Sequence, residues 1–272
     1  MEFDGLIRAL EHCGIGVTVL DPHDKSAPNA VFPNNWFSTH ASGDLLLYPM
    51  CAPSRRRERD PKFGRTLLRE GFESKATMDF SPWEKSGLFL EGTGSMVLDR
   101  VKHMAYATLS PRTSEGALDA WCEKMRYIPI AFNATMDGTL TGDPVYHTNV
   151  VMSIGERFAV LCSEAIPYPG ERKEVEDELR AAGKELILIT LEQMHRFVGN
   201  LIQLRSLGDK PDHFIFMSTT AFEALIPEQR KALEKHGQLV PVSVPTIEAV
   251  GGGSVRCMIA ENFLSSVDQS IA

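Results

Sequence analysis

Reactive side chains recur at comparable places along the chain, each beside small or amide residues. Leu90-Glu91-Gly92-Thr93-Gly94-Ser95 offers a carboxylate, Tyr146-His147-Thr148-Asn149-Val150 an imidazole, and Gly251-Gly252-Gly253-Ser254-Val255-Arg256-Cys257 a thiol. Cys257 is the natural nucleophile, since a lowered pKa or a neighbouring histidine can supply thiolate. The glycines before it let backbone approach a ligand, or leave amides free to meet developing negative charge. His147 is the expected general acid and base, because an unperturbed imidazole titrates near working pH. Glu91 would orient that imidazole or take protons from the substrate. Asn35, Asn149 and Asn200 can each donate and accept hydrogen bonds, and are expected on a ligand. No Lys-Ser/Thr pair follows the glycine run, which argues against a phosphate loop. No paired His/Cys/Asp spacing points to a metal site.

These residues need elements that bring them together, and the sequence carries a repeat able to do so. An amphipathic segment, a helix-ending residue and a short apolar strand recur around Gly14, Gly71, Tyr127, Gly183 and Gly237, every 54 to 57 residues. Glycine suits a helix end because it takes the left-handed conformation that closes the last turn. Tyr127 is the exception, so that junction must close differently. Each unit continues with a polar or Gly-rich loop, a second strand and a third. The second strands are expected at Trp36–Thr39, Ser95–Leu98, Asn149–Ile154, Leu201–Leu204 and Val255–Ala260. The third are expected at Leu45–Tyr48, His103–Leu109, Arg157–Cys162 and His213–Met217. Apolar spacing predicts helices over 114–126, 172–182 and 221–236.

Five such units suggest an α/β fold closed as a pseudo-fivefold propeller, one catalytic domain over residues 1–272. The loops entering the second strands would then converge at one end of the axis. The fifth unit shows no third strand, so an N-terminal closing strand is expected to be missing and one ring edge open. A chain extended at its N-terminus should melt higher, and the open edge would favour a homodimer.

Composition narrows the function classes. The 272 residues carry 28 Lys+Arg and 36 Asp+Glu, a formal net charge of −8, which argues against a nucleic-acid partner. The one dense basic run, Arg55-Arg56-Arg57-Glu58-Arg59, reads as a solvated loop. Five scattered cysteines without CxxC spacing read as reduced thiols, and no apolar stretch approaches a bilayer's width, so a cytoplasmic location without membrane contact is expected.

From Phe32-Pro33-Asn34-Asn35-Trp36 to Gly251-Gly252-Gly253-Ser254-Val255-Arg256-Cys257 the chain resembles the penteins, the guanidine-modifying superfamily of arginine deiminase, dimethylarginine dimethylaminohydrolase and the amidinotransferases. Glu91-Gly92-Thr93-Gly94 matches the family's EGGD-like turn, His147-Thr148-Asn149 its HxD segment, and Cys257 its C-terminal cysteine. The resemblance implies a five-bladed α/β propeller and a covalent cysteine intermediate, with no metal and no organic cofactor. Three acids of arginine-directed relatives are replaced: Asn149 in HxD, Gly94 in EGGD, and His40 where an FTRD-like motif would end in Asp. Fewer negative charges weaken the grip on a guanidinium, whereas Asn amides match a neutral ureido group. The sequence therefore looks most like the citrulline ureidases, with His40 joining Asn35, Asn149 and Asn200 on a small amino-acid substrate. Cys257 would attack the ureido carbon, and His147 would protonate the leaving δ-nitrogen, then activate water on an S-carbamoyl enzyme. Other readings are an arginine deiminase, a dimethylargininase, an amidinotransferase-like enzyme, or a non-catalytic pentein binding module. Arg56, Arg205 and Arg256 are the candidates for the substrate carboxylate.

Overall fold

The computed structural model describes residues 1–27 and 29–267. Among the described residues twelve strands form four three-stranded sheets, each built the same way. The first contains β1 (Phe37–Thr39), β2 (Asp44–Leu47) and β3 (Ala76–Asp79). The second contains β4 (Val97–Asp99), β5 (Met104–Thr108) and β6 (Ile128–Phe132). The third contains β7 (Met152–Ile154), β8 (Phe158–Leu161) and β9 (Glu185–Leu188), and the fourth β10 (Ile202–Arg205), β11 (His213–Ser218) and β12 (Gln238–Val242). In each sheet an antiparallel hairpin is followed by a helical crossover to a parallel third strand, as in β4–β5 and β5–β6. A parallel neighbour needs such a crossover, because a tight turn only reverses the chain. Every sheet thus joins the second and third strands of one sequence repeat to the first strand of the next.

The central strands are the most apolar, since both of their faces are covered. Met104–Thr108 and Phe158–Leu161 are buried throughout. Neighbouring sheets pack through shared clusters, one centred on Tyr106, Phe158 and Met217 and another on Tyr48, Trp121 and Leu90. Removing a side chain such as Leu118 from water contributes about 1.5–3 kcal/mol, so these contacts fix how the sheets stand to one another.

Several expectations need correction. The strand expected over Val255–Ala260 is instead a 3-10 turn at Val255–Met258, held by Cys257 N–H donating to the Ser254 carbonyl at 2.9 Å. Residues 15–20, which follow Gly14 as the first strands follow the other helices, form no strand. The helix expected over 221–236 is two, Thr219–Ala224 and Pro227–Glu234, because Pro227 forces the preceding residue out of helical conformation. Gly14, Gly71 and Gly183 take the left-handed conformation that closes a helix, and at the Tyr127 junction Arg126 does so (φ +59°). Gly237 does not; its role is closeness, since a Cβ there would lie 2.8 Å from the His213 carbonyl oxygen.

Candidate active site

Short helical turns lie just before the inner strands, and they carry the reactive residues. Glu91 is the N-cap of Gly92–Ser95, and His147 is the N-cap of Thr148–Val151. Equivalent positions in adjacent repeats therefore place the two side chains together, with His147 Nε2 2.8 Å from Glu91 Oε2. The turns are stitched by Thr148 Oγ1, which donates to the Ser95 carbonyl, and by Ser95 Oγ, which accepts from Glu91 N–H and donates to the Arg112 carbonyl. Glycine is required where the turns meet. A Cβ on Gly92 would lie 2.3 Å from the Asn34 carbonyl oxygen, and one on Gly94 2.3 Å from Asn35 Nδ2 and 2.9 Å from His147 Nδ1. An acid at position 94 has no room.

Glu91 is wholly buried among cations and donors. Its Oε2 lies 3.4 Å from Arg55 Nη1 and 3.7 Å from Arg112 Nη1, and its Oε1 accepts the Cys51 N–H at 3.0 Å. Burial alone would raise the carboxyl; the His147 hydrogen bond and charge, with Arg55 and Arg112, outweigh it and hold the pKa to about 2. Burial lowers the pKa of His147, against the pull of Glu91, with Arg112 and Arg55 adding to the lowering. The resting pair is thus a carboxylate and a neutral imidazole. The carboxylate fixes Nε2 as the N–H, leaving the lone pair on Nδ1.

Cys257 arrives from the 3-10 turn and is buried beside Phe32, Phe216 and Val255. Asn149 Nδ2 and Asn200 Nδ2 approach its sulfur at 3.4 and 3.2 Å. Cys257 and His147 share a cavity of about 130 Å³, whose wall includes Phe32, Asn35, Arg55, Arg112 and Tyr146. The Gly251–Gly253 run closes one side, its Gly252 carbonyl accepting a hydrogen bond from the Tyr146 hydroxyl, while Gly251 and Gly253 press on the Phe32 ring.

The structure thus gathers Glu91, His147, Cys257, Asn35, Asn149 and Asn200, and leaves His40 elsewhere. His40 is buried just past β1, its Nε2 2.9 Å from Ser38 Oγ and its Nδ1 3.4 Å from Arg100 Nη1; burial, then Arg100, lowers its pKa to about 3. It is a neutral core histidine. Asn200 is committed to the sulfur and to backbone, so it contacts Cys257 rather than the cavity. Arg55 overturns the solvated reading of the basic run: it is 3% exposed and grips Glu58 with two hydrogen bonds of 3.0 Å. Arg56 bonds the Met50 and Cys51 carbonyls, Arg256 the Ile259 carbonyl and Glu261, and Arg205 ends the exposed tip of β10. The cations on the cavity wall are Arg55, read in the sequence as part of a solvated run, and Arg112, which did not stand out there. The spacing of Arg55 and Glu58, three apart after a helix-starting Pro53, is the one signal that marked a paired face.

The family model described as "N,N dimethylarginine dimethylhydrolase, eukaryotic" matches residues 1–264. The chain belongs to this family. No curated protein matches it. Among solved structures it is similar to the N-terminal domain of ArgZ bound to substrate, an arginine dihydrolase from the ornithine-ammonia cycle in Cyanobacteria, at 16% identity and TM-score 0.72, covering 97% of this chain and 87% of that one. Unliganded AgrE gives 16% identity and TM-score 0.70, over 97% of this chain and 35% of its own. A dimethylarginine dimethylaminohydrolase mutant carrying an S-methyl-L-thiocitrulline adduct gives 18% and 0.64, over 94% and 85%. The fold is therefore α/β of the pentein, arginine deiminase-related superfamily. Among the described residues no helix is long and apolar enough to cross a membrane, and no group of three or more His, Cys, Asp or Glu could hold a metal ion.

Proposed function

We propose that this chain is a cysteine-dependent hydrolase of a neutral ureido C–N bond, with citrulline as substrate and ornithine, carbon dioxide and ammonia as products. The observation that carries this reading is the charge on the cavity wall: its ionised side chains are the guanidiniums of Arg55 and Arg112. A guanidinium substrate would meet like charge there, whereas a neutral ureido group would not, and the positive wall stabilises the oxyanion that forms from it. The four sheets are read as blades of a five-bladed ring, and residues 1–272 as one catalytic domain.

Cys257 Sγ passes its proton to His147 Nδ1 and attacks the ureido carbon, and the carbonyl electrons move to oxygen. The collapsing tetrahedral species expels the δ-nitrogen, which takes a proton from His147 and leaves as ornithine, so that an S-carbamoyl enzyme remains. His147 Nδ1 then takes a proton from water, whose oxygen displaces the sulfur, and the carbamate released decomposes to carbon dioxide and ammonia. Glu91 fixes the imidazole tautomer through both steps. Arg112, whose side chain is 35% exposed beside the more deeply buried Arg55, holds the substrate carboxylate. Asn35 on the wall and the unpartnered Oδ1 of Asn149 accept ureido N–H groups.

The family match favours a second reading, hydrolysis of the guanidino C–N bond of a methylated arginine; the similarity to ArgZ adds arginine. Citrulline, arginine and dimethylarginine at equal concentration, with products identified, separate these. Ornithine and ammonia from citrulline at the highest rate are expected, with none from Cys257→Ala. Faster consumption of either guanidine would refute the neutral-substrate reading.

A further inference from the structure

Behind the imidazole stands a second carboxylate that never meets the cavity. The Glu58 side chain is fully buried and takes Arg55 on two hydrogen bonds, from Nε to Oε1 and from Nη2 to Oε2, each 3.0 Å. The remaining guanidinium nitrogen, Nη1, reaches Glu91 Oε2 at 3.4 Å. That oxygen is the one that lies 2.8 Å from His147 Nε2, so Arg55 and His147 compete for a single acceptor. Arg112 Nη1, at 3.7 Å, completes the cations around it. Glu91 Oε1 is already taken by the Cys51 N–H.

A guanidinium prefers two parallel bonds to one carboxylate, and a buried one left without a partner is costly. If Glu58 did not hold the fork, Glu91 would be the carboxylate at hand, and pairing with Arg55 would draw Oε2 off the imidazole. We propose that Glu58 is a positioning residue: by engaging two nitrogens of Arg55, it leaves Glu91 Oε2 to His147 and so keeps the imidazole oriented for proton transfer. The device rests on His147 as acid and base, but not on the ureido substrate.

The test is NMR of isotope-labelled histidine in the substrate-free full chain, the His147 signals being those lost in His147→Gln. Wild type is expected to show the proton on Nε2, with a strongly downfield resonance from its hydrogen bond to Glu91. In Glu58→Gln that resonance should move upfield or vanish through exchange, and the ring nitrogens should report mixed tautomers. The kcat should fall about ten- to hundredfold, with KM nearly unchanged. Glu58→Asp, one methylene shorter, should shift the resonance by less, and it serves if Glu58→Gln does not fold. Removing the competitor as well, in Arg55→Gln with Glu58→Gln, should restore the resonance. An unmoved resonance in both Glu58 variants would overturn the proposal, as would its failure to return in the double variant. So would a raised KM with kcat and resonance unchanged, since Glu58 would then be holding Arg55 for the substrate. Because the resonance is read without substrate, a protein that shows these shifts yet consumes arginine faster than citrulline upholds the role of Glu58 while overturning the ureido reading.

Discussion

Around Glu91 and His147 the site is built from formal charges, whereas around Cys257 it is built from amides and glycines. On the first side one carboxylate faces His147, Arg55 and Arg112, and Arg55 also pairs with Glu58. On the second, the sulfur meets two side-chain amides and a loop of three glycines. A buried charge is costly unless paired, so an ionised Glu91 demands its guanidiniums. The difference separates the acid that is kept, Glu91 behind the imidazole, from the positions where family acids are replaced, of which Gly94 and Asn149 lie beside His147 and Cys257 while His40 does not.

The sharpest break in this comparison is to discharge the ionic side. Glu91→Gln leaves the geometry nearly intact but no longer imposes the Nε2–H tautomer, and it leaves Arg55 with Glu58 alone. A fall in kcat on the order of 10²–10⁴ is expected, measured as ammonia release. The same variant reads the linkage to stability. The folded pKa of Glu91 is depressed, so its contribution is full above about 4.5 and is lost as pH falls toward about 2. Wild type should therefore lose thermal stability across that window by roughly 3 kcal/mol more than Glu91→Gln does, as followed by melting temperature. Parallel loss in both proteins would place the stabilisation elsewhere.

A smaller effect is expected where the two sides touch. Gly94→Ala puts a Cβ against Asn35 Nδ2 and His147 Nδ1, at 2.3 and 2.9 Å if nothing moves. The imidazole must then shift relative to the sulfur, and kcat is expected to fall about 10²-fold from misplacement alone. An unchanged kcat in Gly94→Ala would show that the turn has slack and that the glycine is incidental.

How much of this was legible in the sequence follows the same division. Glu91, His147 and Cys257 stood out because repeat spacing predicts that equivalent loops meet, and Glu91 and His147 do meet at equivalent N-cap positions. The central strands were legible within a residue or two, because burial on both faces leaves continuous apolar runs such as Phe158–Leu161. The sheet composition was not: a strand's partner is set by its crossover, and the repeat gives no sign that Ile128–Phe132 joins the preceding hairpin rather than its own. Arg55 was misread because a basic run looks solvated whichever of its members turns inward. His40 was misread because motif position places it just past a strand, while only packing decides which way its side chain faces. At Val255–Met258 the residues suit a strand, but the chain there makes a turn whose Arg256 N–H is taken by Asn200 Oδ1.

The gentlest probe is the Tyr146 hydroxyl, which crosses from the ionic side to the glycine loop. Burial pushes its pKa up, so it remains a donor throughout the working range and its bond to the Gly252 carbonyl does not titrate there. The Tyr146 ring also meets His147 edge-on at 5.3 Å and lies under the Arg112 guanidinium, also at 5.3 Å. Tyr146→Phe keeps both ring contacts and removes only the hydrogen bond. One neutral hydrogen bond contributes about 0.5–1.5 kcal/mol, so KM for citrulline should rise about two- to tenfold while kcat changes less. That split follows because the loop closes the cavity, whereas the imidazole stays oriented by Glu91. A fall in kcat at constant KM would instead mean that the hydroxyl positions the base, and the boundary between the charged and neutral sides would have to be redrawn through Tyr146.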